Sequence, residues 1–178
     1  VITNKARLSA TQIEAATNLK LIAVSATGYD CVDVGAAAKK GVAVCNVASY
    51  GTSSVAQFTF ALVLELAHRV ALHDIEVRAG EWQNCGSFSF WKTTQIELAD
   101  LTMGIIGFGN IGRQVGSIAN AFGMRVIAHS RSAKEAEGVE FLELNQLAQQ
   151  ADVISLHCSL NASSMNLVNE PFLHQMKP

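Results

Sequence analysis

The run from Leu101 to Gly112, LTMGIIGFGNIG, limits the fold of this chain more than any other stretch. Its apolar start, Leu101 to Ile106, reads as a buried strand that passes directly into Gly107-Phe108-Gly109-Asn110-Ile111-Gly112, a GxGxxG pattern. An amphipathic helix follows, with Ile111, Val115, Ile118, Ala119 and Phe122 on its inward side. In such a strand-to-helix turn the glycines have separate tasks. Gly107 allows the tight turn, Gly109 lets backbone approach a pyrophosphate, and Gly112 lets the helix pack closely on the strand. The helix amides, from Asn110 and Ile111 onward, and the positive dipole end then face the phosphates. Gly123 ends the helix and Arg125 to Ala128 form a second strand, so Leu101 to His129 has the roughly 30 residues of a βαβ unit. Alone the glycine pattern is weak evidence; with strand, helix, closing glycine and second strand in agreement it predicts dinucleotide binding.

The rest of the chain agrees with an α/β fold. Its strands read as continuous apolar runs, the mark of a parallel sheet covered on both faces. Leu19 to Ala26 is one such run, followed by a helix from an Asp33 N-cap to Lys40, a Gly41 C′ position and a strand at Val42 to Cys45. Before them, Ser9-Ala10-Thr11-Gln12 fits a capping box, and Val1 to Thr3 reads as the end of a strand. Ser53 to Val77 predicts one long helix, apolar on most faces from Ala56 to Ala67. It packs either between two domains or between two subunits, and the sequence does not separate these. The irregular stretch Ala79 to Asp100 holds Trp82, Trp91, Phe88 and Phe90. It either folds back on its own domain or forms an interface.

Past the second strand, NAD-specific folds place a carboxylate for the ribose 2′-OH, but this chain reads His129-Ser130-Arg131-Ser132, with Lys134 shortly after. Ser130, Ser132 and the Arg131 guanidinium suit a 2′-phosphate, so the cofactor expected is NAD(P), leaning to NADP. The other reading makes Arg131 a solvated charge and the site indifferent. A short helix near Leu142 to Gln149 precedes a strand, Val153 to His157, that ends in His157-Cys158-Ser159-Leu160-Asn161, where polar groups would line a ligand crevice. His157 in that position is more often structural than catalytic.

Composition narrows the function classes. Of the 178 residues, 49% are hydrophobic and 16% charged, which excludes a disordered chain, and a net charge of −2 provides no field to gather nucleic acid or an anionic membrane. Cys31, Cys45, Cys85 and Cys158 form no CxxC pair and no cluster with metal-ligand spacing, so reduced thiols, no metal and a cytoplasmic location are expected. The uncharged stretch Gly41 to Leu64 is interrupted by Asn46, Ser49, Thr52, Ser53, Ser54 and Gln57, and has no apolar run near the roughly 20 residues of a membrane span.

With these motifs assembled, the chain resembles the D-isomer-specific 2-hydroxyacid dehydrogenase family, and within it the glycerate dehydrogenase/hydroxypyruvate reductase group. The resemblance is carried by Leu19 to Arg69, by GEW at Gly80 to Trp82, by IELADLTMGIIGFGNIGRQVG at Ile96 to Gly116, by ADVISLHCSLNASSMNLVN at Ala151 to Asn169 and by the closing MKP. It implies a Rossmann-like doubly wound parallel sheet over residues 51–178, entered by the long helix at about 53–77, and part of a flavodoxin-like substrate domain over residues 1–50. It also implies that Ala26, Thr27 and Gly28 meet a substrate carboxylate, and that Gly107, Gly109 to Gly112, Ser130, Arg131, His157, Cys158, Ser159 and Ser164 contact the cofactor. Family chemistry is hydride transfer between nicotinamide and C2 of a 2-hydroxy or 2-keto acid, with hydroxypyruvate, glycerate or glyoxylate favoured here, in a homodimer. The family's arginine and His/Glu pair match no position up to Pro178, so the chain is expected to be a piece lacking both ends and inactive alone. This chain departs from the family pattern at Ser159, where proline is usual, at Asp100, where glycine is usual, and at Gly51, where a hydroxyl is sometimes found; Ser164 stands where threonine is usual. The alternative is a dinucleotide-sensing, corepressor-like binding module of the same fold. A third reading, a hydrolase of S-adenosylhomocysteine type, shares the glycine motif alone.

Overall fold

Val1–Gly51 form one unit of the chain and Thr52–Pro178 another, each built on its own parallel sheet. The computed structural model describes residues 1–132, 135–161 and 163–177. Lys134 and Pro178, noted in the sequence, lie outside the described residues.

The first unit runs β1 (Ile2–Thr3), α1 (Ala10–Ala15), β2 (Leu21–Val24), α2 (Val34–Lys39), β3 (Ala43–Asn46), with sheet order β1-β2-β3. Both helices start on the signals in the sequence. Ser9 and Gln12 close a reciprocal capping box on α1, and the Asp33 carboxylate accepts from the Ala36 amide at 2.8 Å at the start of α2. Ile13, Ile22, Val24, Ala37 and Val42 are buried between the helices and the sheet, and each large aliphatic side chain among them contributes about 1.5–3 kcal/mol. Lys40 supplies a bond that no sequence rule indicated: its Nζ donates to the carbonyls of Ile13, Glu14 and Ala16 at 2.6, 2.6 and 2.8 Å, capping the C-terminal end of α1 from the end of α2.

The second unit begins with α3 (Thr52–His68), α4 (Val70–Arg78) and α5 (Glu81–Asn84). The single helix expected over 53–77 is therefore broken, and α3 and α4 meet at 56°. Arg69 takes left-handed angles, φ 49 and ψ 46, after its amide has closed the last turn of α3 on the Glu65 carbonyl. The Glu65 side chain accepts from the Ala71 amide at 3.4 Å, and the Arg69 carbonyl accepts from the His73 amide and ring Nδ1, so the new helix is capped without glycine or proline. Among the described residues no single helix is long and apolar enough to cross a membrane.

The stretch after α4 folds back upon it. Trp82 Nε1 donates to the Phe88 carbonyl at 3.1 Å, the Trp82 and Phe90 rings stack, and Lys92 pairs with both Glu76 and Glu81. Phe88 and Trp91 nonetheless stay 91% and 67% exposed.

The sheet follows: β4 (Thr102–Ile106), α6 (Asn110–Ala121), β5 (Arg125–His129), β6 (Val139–Phe141), α7 (Leu144–Gln150), β7 (Val153–Leu156), then α8 (Glu170–Leu173). All four strands are parallel, in the order β6-β5-β4-β7. The chain thus leaves β4 toward one edge and returns to its other side at β7, which makes the gap between β4 and β7 a switch point. The strand β6 was not anticipated from the sequence. Every residue of β4 is buried. Met103 and Ile105 pack with Ala56, Phe60, Val115 and Ala119 of α3 and α6, whereas Ile106 packs with Leu147 and Ala148 of α7 on the opposite face. Gly104 admits that second layer: a Cβ there would lie 2.8 Å from Ala151 Cβ and 2.9 Å from Leu147 Cδ2.

Candidate functional site

At the carboxyl ends of β4, β5 and β7 a crevice of about 420 Å³ opens at the switch point. Gly107, Gly109, Ser130, Arg131, His157, Cys158, Ser159 and Ser164 line it, so residues up to 57 positions apart converge there. Gly107 has φ +96, and a Cβ would stand 2.5 Å from the Cys158 amide nitrogen, so the turn is closed to any side chain by strain and by contact. A Cβ on Gly112 would overlap the Gly107 carbonyl oxygen, which is how α6 lies so close to β4. Gly109 differs from both: its φ of −84 suits any residue, and an added Cβ meets nothing within 4 Å. It is also the N-cap of α6 and provides no side-chain acceptor to the first-turn amides.

Asn110, Ile111 and Gly112 do not line the crevice. Asn110 is exposed in the first turn of α6, Ile111 is half-buried against the core and Gly112 is buried. The polar wall comes from β5 and β7. Ser130 is buried, Arg131 exposed, and the Arg131 guanidinium donates to Ser163 Oγ at 3.1 Å. His129 Nδ1 lies 3.0 Å from the Leu142 carbonyl, and His157 Nε2 lies 2.9 Å from Ser155 Oγ. Burial pushes the His157 imidazole below its ordinary value, so the ring is neutral at neutral pH. The Ser164 hydroxyl is engaged within its own loop, donating to the Ser159 carbonyl at 2.7 Å and accepting from the Asn161 amide at 2.8 Å. Sequence reasoning passed over Phe108, Ser163 and Leu167, which also line the crevice, whereas Asn161 stood in the polar run after β7. The Asn161-x-Ser163-Ser164 spacing is the only signal that could have indicated Ser163, because short polar residues so spaced bond one another's backbone.

Ala26, Thr27 and Gly28 belong to the first unit, where the loop is pinned by Thr27 Oγ1 donating to the Val47 carbonyl and Asn46 Nδ2 donating to the Thr27 carbonyl at 2.8 Å. Ala26 and Gly28 line a recess of about 440 Å³ there, beside Lys5, Arg7 and Asp30. Among the described residues no group of His, Cys, Asp or Glu is placed to hold a metal ion.

Residues 60–178 match the family described as D-isomer specific 2-hydroxyacid dehydrogenase, NAD binding domain. The chain belongs to that family. A hydroxypyruvate reductase of Blautia hydrogenotrophica is 42% identical over 99% of this chain and 56% of its own length. Among solved structures, the D-lactate dehydrogenase of Aquifex aeolicus complexed with NAD and lactic acid superposes with a TM-score of 0.87 at 30% identity, covering 98% of this chain and 52% of that one. An acyclic imino acid reductase in complex with NADPH and D-Arg gives 0.85 at 30% identity, over 99% and 56%. The chain spans about half the length of the relatives it matches.

Proposed function

We propose that the crevice at Gly107, Gly109, Ser130 and Arg131 binds the nicotinamide dinucleotide of a reductase acting on small 2-keto acids, with hydroxypyruvate and glyoxylate as the favoured substrates. The observation that carries this reading is Gly109. A glycine with ordinary angles and open space where its side chain would be has no intramolecular reason to be glycine, whereas a pyrophosphate lying against the backbone supplies one. The residues present fit such a cofactor. Gly107 and Gly109 lead into the N-terminal end of α6, whose first amides would receive the phosphates, Ser130 and Arg131 would face the ribose, and the loop after β7 forms the opposite wall. When bound, the dinucleotide supplies the hydride; this chain orients it and keeps a neutral imidazole, His157, at its side.

The absence of a carboxylate at Ser130-Arg131 supports NADP over NAD, since the guanidinium fork matches a phosphate. Of the two complexed structures one holds NADPH and the other NAD, so this preference stands on the two residues alone. In the first unit, the loop Ala26-Thr27-Gly28 is proposed to receive the substrate carboxylate, with residues 1–50 as part of a substrate domain and residues 51–178 as part of the cofactor domain. Phe58, Leu62 and Leu66 lie exposed along one side of α3 at helical spacing, and with Trp91 they are proposed to form a homodimer contact. The free cysteines suit the cytoplasm.

The test is to follow nicotinamide absorbance as the intact protein meets hydroxypyruvate, glyoxylate or pyruvate with NADPH or NADH. Oxidation of the cofactor with hydroxypyruvate or glyoxylate, and a higher kcat/KM with NADPH, is the expected result. No oxidation with any of these acids would overturn the reading.

A further inference from the structure

The loop after β7 reaches across the crevice to the residue that reads the ribose, and it does so through a directional chain of hydrogen bonds. Arg131 Nη1 donates to Ser163 Oγ at 3.1 Å. The Ser163 hydroxyl in turn donates to Asn161 Oδ1 at 2.6 Å, and the Ser163 amide donates to the same oxygen at 3.0 Å. The Asn161 side-chain amide donates to the Ser159 carbonyl at 3.1 Å, and its backbone amide donates to Ser164 Oγ. With its proton committed to Asn161, the Ser163 hydroxyl can offer Arg131 only a lone pair.

We infer that Ser163 is a positioning residue that holds the Arg131 guanidinium, still fully charged, across the mouth of the crevice, and so sets the preference for a 2′-phosphorylated dinucleotide. This rests on the reading of the crevice as an NADP site. An exposed arginine samples many rotamers, and ordering it costs about 2 kcal/mol of rotamer entropy; a bond that already holds it removes part of that cost from the binding step. The identity of the holder matters. A carboxylate would neutralise the guanidinium and compete with a phosphate, while a neutral hydroxyl occupies one of its five N–H donors and leaves the rest. Among the described residues no carboxylate pairs with Arg131.

The test is calorimetric or fluorescence titration of the intact protein with NADPH and with NADH, for wild type and for Ser163→Ala, Ser163→Thr, Ser163→Glu and Arg131→Ala. Ser163→Ala is expected to weaken NADPH roughly five-fold, the worth of about one hydrogen bond, while NADH changes by less than about two-fold. Ser163→Thr keeps the acceptor and restores NADPH affinity, and Ser163→Glu lowers the NADPH to NADH preference further than alanine does. Selective loss of NADPH in Arg131→Ala with equal losses of both cofactors, or none, in Ser163→Ala would overturn the role of Ser163 and leave the NADP reading standing. An Arg131→Ala protein that keeps its NADPH preference would overturn both.

Discussion

Gly107 and Cys158 meet backbone to backbone: a Cβ on Gly107 would stand 2.5 Å from the Cys158 amide nitrogen, where the ends of β4 and β7 part. The contact lies at the point where the strand order reverses, and it fixes the floor of the crevice. Gly107→Ala brings together a left-handed φ of +96 and a backbone clash, so it is expected to cost roughly 3 kcal/mol or more. Urea unfolding would register this as a lower midpoint, and an unchanged midpoint would show that the two loops separate easily.

Asp100 offers the opposite case. Its φ is +66, a region costly for any side chain and least so for Asn and Asp. Asp100→Gly removes the strain at the expense of some unfolded-state entropy, for an expected gain of about 0.5–1 kcal/mol. Thermal melts of the two proteins check this; a lower Tm for the glycine variant would contradict it.

His157 makes stability depend on pH. Burial holds its folded pKa below the ordinary 6.5, so between those two values the unfolded chain binds more protons and stability rises with pH. The contribution is complete above 6.5 and is lost as pH falls through the folded value. Wild type should therefore lose more stability than His157→Gln between about pH 8 and about pH 5. Parallel stability curves for the two would exclude the effect.

Lys40 is expected to matter through its ammonium and not through its stem. Lys40→Met keeps most of the chain volume but removes the ammonium that the carbonyls of Ile13, Glu14 and Ala16 share, for a cost of about 1–2 kcal/mol. Lys40→Arg, which retains donors, should recover part of it in the same denaturation experiment.

Much of this was legible in the sequence because it depends on local chemistry. The capping residues Ser9 and Asp33, the strand into Gly107 and the stop at Gly123 act within a few positions of themselves. The break at Arg69 was not legible, because its partners are the Glu65 carboxylate and the His73 ring, and no glycine or proline signals it. The strand β6 is three residues long, and Val139, Glu140 and Phe141 carry no periodicity long enough to register. Within the crevice the glycines of the strand-to-helix turn were legible from spacing, whereas the bond from Arg131 to Ser163 joins residues 32 positions apart and depends on where β5 and β7 end.

A dinucleotide held in the crevice against the backbone of Gly109 is tested most directly by the NADPH and NADH affinity of the intact protein carrying Gly109→Ala, measured alongside its melting temperature. With no atom within 4 Å of the added Cβ and an ordinary φ, stability should move by less than about 1 kcal/mol, while affinity for both cofactors falls at least about ten-fold. Unchanged affinity in a stably folded variant would contradict the account.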